Sequence, residues 1–148
     1  MSKYQKVLVA IDSTSEADEV VEAAKELVQQ SNGDLHFVTV VQPINYAYSG
    51  YESVAAYSGF PEIEAETQKA ALANLKARAE ALGLDESRVT VLLGRPASMI
   101  KDHAEALGAD VIVMGSHGRH GLGLLLGSTA NGVLHGAPCD VLTVRITE

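Results

Sequence analysis

Between Gly115 and Thr129 the chain reads Gly-Ser-His-Gly-Arg-His-Gly-Leu-Gly-Leu-Leu-Leu-Gly-Ser-Thr, with glycines at 115, 118, 121, 123 and 127. Glycine tolerates positive φ and lets backbone approach a ligand closely. Successive glycine-permitted turns can converge N–H donors on phosphate oxygens. The stretch closes on Gly127-Ser128-Thr129, where a helix is expected to begin, and free N–H groups with a positive dipole end favour an anion there. The Ser128 and Thr129 hydroxyls add donors or reach a metal, and Arg119 supplies a phosphate cation. The stretch is not a P-loop, because no Gly-Lys-Ser/Thr ends it. It is not the dinucleotide fingerprint either, since the spacing is wrong and it follows a late strand. Phosphate binding is the favoured reading, and a glycine-rich turn that merely reverses the chain is the alternative. His117 and His120 in this loop read as exposed rather than as ligands.

A second polar position closes the first apolar run. Asp12 follows Lys6-Val7-Leu8-Val9-Ala10-Ile11. A carboxylate directly beside phosphate would be repelled, so its sensible partners are a ribose hydroxyl or a divalent cation. Capping of the following helix is the competing role. Arg95, after a third apolar run, could face the same crevice or simply the solvent. Two histidines near one aspartate are not a metal site by spacing, and His103 and His135 carry no partner pattern. Cys139 precedes a strand and reads as packed rather than reactive.

These residues need positioning, and the periodicity supplies the elements. Lys6 to Ile11 and Leu35 to Val41 are aliphatic, β-branched runs of the kind buried on both faces of a parallel sheet. Val89 to Leu93, Val111 to Met114 and Val141 to Ile146 repeat that character. Between the first two runs, Ser13 and Glu16 form a capping-box pattern, Val20, Val21, Ala24, Leu27 and Val28 make a helical stripe, and Asn32-Gly33 is a stop. A helix from Glu62 to Leu82 would bury Ala71, Leu72, Leu75, Ala79 and Leu82. Another runs from about Ala97 to Leu107, with Pro96 suited to its first position and Gly108 as its end; a short one spans Thr129 to His135. Gln42 to Pro61 has no clean period and carries Tyr46, Tyr48, Tyr51 and Tyr57. It reads as a long loop, either a lid or partner surface or a variable insertion without a role. Strands alternating with helices give an open parallel α/β sheet with helices on both faces. If the first and fourth strands are neighbours, Asp12 and Gly115 meet across a crevice at their carboxyl ends.

The 148 residues suit a single domain spanning 1–148. At 47% hydrophobic and 20% charged, the balance is that of a globular chain. No apolar run reaches the length of a membrane span, and no signal peptide is visible at the start. With Cys139 as the sole cysteine, no intramolecular disulfide can form, which fits a reducing cytoplasm. A net charge of −8 disfavours nucleic acid, whose phosphates call for clustered Lys and Arg.

Three segments carry a resemblance that covers nearly the whole chain. They are Val9-Ala10-Ile11-Asp12, Val113-Met114-Gly115-Ser116-His117-Gly118 with the loop behind it, and Cys139-Asp140-Val141-Leu142. The chain resembles the universal stress protein family, and its glycines resemble the ATP-binding branch. That branch's pattern is Gly, two residues, Gly, nine residues, Gly, then Ser or Thr. Here Gly115, Gly118, Gly127 and Ser128 fit it, with eight residues in the longer interval. The resemblance implies a Rossmann-like five-stranded sheet of order 3-2-1-4-5. It implies that Ala10 and Asp12 flank the adenosine, that Val40 meets adenine through its backbone, and that Met114 and Gly115 contact the ribose side. It implies phosphate contacts from Gly118, Arg119, Gly127, Ser128 and Thr129, with Asp12 near the ribose or a phosphate-bound metal; by their own chemistry Asp12 and Ser128 could hold that metal, a magnesium ion. It also implies a homodimer formed by antiparallel pairing of the last strand, Val141 to Ile146, with higher oligomers allowed.

The expected function is therefore an ATP-binding stress-response module, without a catalytic residue, whose nucleotide state changes its choice of an unknown protein partner or its oligomeric state. Two alternatives stand beside it: a slow ATPase or phosphotransferase, for which no dedicated base is evident, and a structural dimer that binds no nucleotide.

Overall fold

The computed structural model describes residues 4–12, 17–42, 60–116 and 127–145. In chain order these form β1 (Lys6–Ala10), α1 (Ala17–Ser31), β2 (Asp34–Val41), α2 (Phe60–Ala81), a 3₁₀ turn (Glu86–Arg88), β3 (Val89–Leu93), α3 (Pro96–Leu107), β4 (Val111–Gly115), α4 (Ser128–Leu134) and β5 (Asp140–Val144).

The strands form one sheet in the order β3-β2-β1-β4-β5, and every neighbouring pair is parallel. Buried on both sides, the strands divide their side chains between two cores, as a period of two requires. Val7, Val9, Leu35, Phe37, Val111 and Val113 face one way and pack with Val20, Val21 and Ala24 of α1 and Leu75 and Ala79 of α2. Leu8, Ala10, Val38, Ile112 and Met114 face the other way, onto Ile100 and Ala104 of α3 and Ala130 and Val133 of α4. The expected α/β architecture, strand order and two-sided helix cover are all present.

From β1 the chain moves outward to β2 on one side, and from β4 it moves to β5 on the other. Neighbouring strands at such a switch point leave a crevice at their carboxyl ends. Polar contacts at the opposite end set the register. The Asp110 carboxylate accepts from the backbone N–H groups of Gln5 and Lys6, both at 2.9 Å. The Tyr4 hydroxyl donates to Asp140 at 2.8 Å.

Element boundaries differ from expectation at the ends, where caps rather than periodicity decide. The α2 helix already includes Phe60, two residues before Glu62. The α3 helix starts at Pro96, the first position for which that proline is suited, and α4 starts one residue early, at Ser128. The last strand is Asp140–Val144, so Arg145 falls beyond it and Ile146 lies outside the described residues. Leu72 and Leu82 of the α2 stripe are half-buried rather than buried. The α1 stop uses Asn32, not Gly33, for the left-handed turn, with φ of 57°. Gly33 serves a different need: a Cβ there would stand 2.6 Å from the Gln5 carbonyl oxygen and 2.7 Å from that of Tyr4. The α3 stop follows the expected form, since Gly108 is left-handed with φ of 74° and its N–H reaches the carbonyls of Ala104 and Glu105. The Ser13 to Glu16 capping pattern and residues 43–59 of the tyrosine-bearing stretch lie outside the described residues.

Candidate functional site

One concavity occupies the switch point. It is lined by Ala10, Ile11, Asp12, Ala17, Val20, Val38, Val40, Pro96, Ile100, Met114, Gly115, Gly127, Ser128, Thr129 and Ala130. Its volume is about 220 Å³, somewhat under the roughly 300–1,000 Å³ usual for small-molecule sites.

The floor is built by register. Ala10 is paired with Val38 on one side and with Met114 on the other, so three side chains from three strands lie level on the face that α3 and α4 cover. All three are buried, and Val40 and Ala97 pack at the margin. This is an apolar, shallow-sided floor suited to a flat ring. The walls are helix ends. Pro96 and Ile100 come from the first turns of α3, and Ser128, Thr129 and Ala130 from the first turn of α4. Asn131 makes a backbone bond to the Gly127 carbonyl at 2.9 Å, so the N–H groups of Ser128, Thr129 and Ala130 come before the first such bond of the helix.

The two flanks of residues 117–126 meet at the cleft. The Gly127 N–H donates to the Ser116 carbonyl at 2.7 Å, and the Ser116 N–H donates to the Val144 carbonyl at 2.9 Å. Ser116 is buried. These two bonds tie the end of β4 both to the start of α4 and to the edge strand β5.

Of the residues singled out in the sequence, Ala10, Asp12, Val40, Met114, Gly115, Gly127, Ser128 and Thr129 are brought together on this lining. Gly118 and Arg119 lie outside the described residues, as do His117 and His120. Asp12 is exposed at the mouth; the residues between it and α1 lie outside the described residues, and with them its competing role as a cap of that helix. Arg95 is exposed and precedes α3 without a side-chain cap bond; it is not on the lining. Cys139 is half-buried, and burial with nearby Asp140 and Asp110 pushes its thiol above the ordinary value, which makes it a poor nucleophile.

Ile11, Ala17, Val20, Val38, Pro96, Ile100 and Ala130 also line the cleft and were not anticipated. Val38 had a usable signal: it is two residues before Val40 and so shares its face. Pro96 and Ile100 carried none, because no local pattern says which strands α3 will cover.

For a divalent cation the described lining offers the Asp12 carboxylate and the Ser128 hydroxyl. Both are hard oxygen donors of the kind magnesium takes. Among the described residues no group of three His, Cys, Asp or Glu could hold a metal, so a cation here would need ligand oxygens to complete its shell.

Comparison with known proteins follows the same lines. Residues 3–145 match the Universal stress protein family. Universal stress protein A homolog 2 of Coxiella burnetii is 38% identical over 147 residues, covering 99% of this chain and 98% of the relative. Among solved structures, the universal stress protein UspA from Lactobacillus plantarum superposes with a TM-score of 0.80 at 24% identity, covering 98% of this chain and all of that one. A universal stress protein solved in complex with cAMP is 26% identical with a TM-score of 0.64, covering 99% of this chain and 100% of its own.

Proposed function

This chain belongs to the universal stress protein family, and from that premise we propose that it is an ATP-binding regulatory module acting in a stress response. The observation that carries this reading is the cleft at the switch point. Its apolar floor and its polar helix-end wall are the two halves that an adenine nucleotide presents. The similar protein in complex with cAMP supports an adenosine phosphate as the class of ligand.

In this reading adenine lies on Ala10, Val38 and Met114 and meets the backbone of Val40. Asp12 accepts from a ribose hydroxyl or binds a phosphate-held magnesium together with Ser128. Met114 and Gly115 meet the ribose side. Gly127, Ser128 and Thr129 donate to phosphates, joined by Gly118 and Arg119. Magnesium, when bound, neutralises phosphate charge beside the Asp12 carboxylate and so removes the repulsion between them. Asp12 is the acidic side chain on the described lining, and no dedicated base accompanies it there, so the residues favour binding over efficient hydrolysis. Slow ATP hydrolysis is compatible with this.

The same proposal takes residues 1–148 as one domain that works in the cytoplasm. It assembles as a homodimer through its last strand and changes its partner or oligomer with nucleotide state. No described helix is long and apolar enough to cross a membrane.

The test is mass spectrometry of nucleotide released from the heat-denatured protein, with calorimetric titration of ATP and of cAMP, each with and without magnesium. Stoichiometric ATP or magnesium-dependent ATP binding is expected. Binding of cAMP alone would change the ligand and leave the site. Neither nucleotide released nor any heat of binding would overturn the reading in favour of a structural dimer.

A further inference from the structure

We propose that Gly94 is a positioning residue for the base of the nucleotide: the sharp turn it makes after β3 holds the Pro96 wall against the base end of the cleft. The inference rests on the nucleotide reading above and adds a residue that is not on the described lining.

β3 is the edge strand beyond β2, and none of its residues is on the described lining. Pro96, the first residue of α3, is on it, and so is Ile100 one turn further along. The chain must therefore leave the edge strand and swing back over β2 within Gly94 and Arg95, which alone separate β3 from α3. Gly94 makes that swing. Its φ is 151°, a region that residues with a side chain rarely enter. A Cβ there would also stand 3.0 Å from the Met99 Cγ and 3.2 Å from its Sδ, so Met99 of α3 packs on the bare face of the glycine. Arg95 then returns to ordinary extended backbone, with φ of −79° and ψ of 123°. Its carbonyl accepts the Met99 N–H at 2.9 Å, and the helix has begun.

The same glycine fixes the opposite side of the base. Its N–H donates to the Val41 carbonyl at 3.0 Å, which carries the pairing of β2 and β3 one residue past Leu93. Along a strand the backbone groups of successive residues turn to opposite neighbours. Val38 turns toward β1, since its carbonyl accepts from the Ile11 N–H at 3.1 Å, and Val41 turns toward β3. Val40 therefore turns its backbone to the β1 side, onto the cleft it lines, where it meets the base in the nucleotide reading. Gly94 thus ties the end of β2 to the start of α3 and sets the gap between the Val40 backbone and the Pro96 ring. Walls held at the right spacing before the ring arrives need no ordering on binding. An alanine at 94 has to abandon this φ and press on Met99, and a change of φ there swings Pro96 away from Val40. The phosphate wall is anchored separately, through the bond from Gly127 to the Ser116 carbonyl at 2.7 Å.

The experiment uses the full chain with Gly94→Ala and, as controls, Gly83→Ala and Gly108→Ala. The control glycines also take positive φ, 76° and 74°, and a Cβ on either would meet nothing within 4 Å among the described residues. Neither is on the described lining. Each chain is titrated by calorimetry with ATP in magnesium and with adenosine, and is unfolded in urea. All three substitutions should lower the urea midpoint, since each strains a turn. Only Gly94→Ala should weaken ligand binding, about tenfold, and by the same factor for ATP and adenosine, because the loss lies at the base. If the unchanged protein binds ATP and Gly94→Ala binds it equally well, the nucleotide reading stands and this one falls. It falls too if all three variants lose affinity alike, which is general loosening, or if ATP weakens and adenosine does not, which places the effect at the phosphates. Should Gly94→Ala fail to fold, Gly94→Ala combined with Met99→Ala, which removes the crowding side chain, carries the same comparison. If the unchanged protein binds neither ATP nor adenosine, both readings fall.

Discussion

His36 and His103 show how position alone sets a side chain's chemistry. His36 lies on β2 between Leu35 and Phe37, so alternation turns it to the face that α3 covers, and His103 lies on α3. Both imidazoles are held below the ordinary histidine value. For His36 burial is the main cause, followed by Arg88 and Lys6, with Asp34 opposing and His103 adding to the depression. For His103 the cause is burial. The unfolded chain therefore binds protons that the folded chain holds off. The stability these groups contribute is full above about pH 6.5, the unfolded value. It is lost as pH falls through 6.5 and on through the lowered folded values. Urea midpoints measured from pH 7.5 down to 5 should be flat at first and then decline. Replacement with an uncharged residue, as in His103→Gln, should flatten that decline. An identical slope in the variant would show that carboxylates, not the imidazoles, govern the window. No spacing rule marks this pair in the sequence, because the face of a half-buried histidine is fixed by the partners it meets.

Where α3 and α4 cross, the spacing between elements is set by one missing atom. A Cβ on Gly132 would stand 2.7 Å from the Ala97 Cβ, closer than two methyl groups can pack. Pro96 and Thr129, on the same two helices, wall the cleft. Gly132→Ala should therefore push the helices apart. Overpacking costs about 1–3 kcal/mol, and the better helix propensity of alanine returns up to about 1 kcal/mol. A net loss of about 1 kcal/mol is expected by urea denaturation, with a parallel loss of nucleotide affinity. A more stable variant with unchanged affinity would mean that the crossing tolerates the methyl. The sequence shows Gly132 as a weak spot in a short helix and gives no hint of its partner, since Ala97 is 35 positions away.

In the proposed homodimer the exposed side of β5 forms the interface. β5 lies at one end of the sheet order, and Leu142 on it is 39% exposed, with Leu134 of α4 at 42%. Open edges with apolar side chains invite pairing, and β5 is hydrogen-bonded through Val144 to Ser116 at the base of the cleft. Leu142→Lys places a charge on that edge. In the dimer reading it should convert a dimer to a monomer in sedimentation equilibrium and leave the circular dichroism spectrum unchanged. A dimer that survives the charge would move the interface elsewhere.

Much of this architecture was legible along the chain. β1, β2, β3 and β4 announce themselves as aliphatic runs, and the stripes of α1 and α2 follow the helical period, because burial on a periodic backbone must repeat. Gly108 ends α3 for a local reason as well. Asp12, Gly127 and Ser128 stood out because charge, backbone freedom and hydroxyl donors are properties of single residues. What the chain could not settle by periodicity is which strands are neighbours, and the cleft depends on that. Only pairing of β1 with both β2 and β4 sets Ala10 level with Val38 and Met114 and brings Pro96 and Ile100 over them. Those contacts join residues far apart in sequence. A local pattern records what each residue prefers, and only the folded sheet decides what each residue meets.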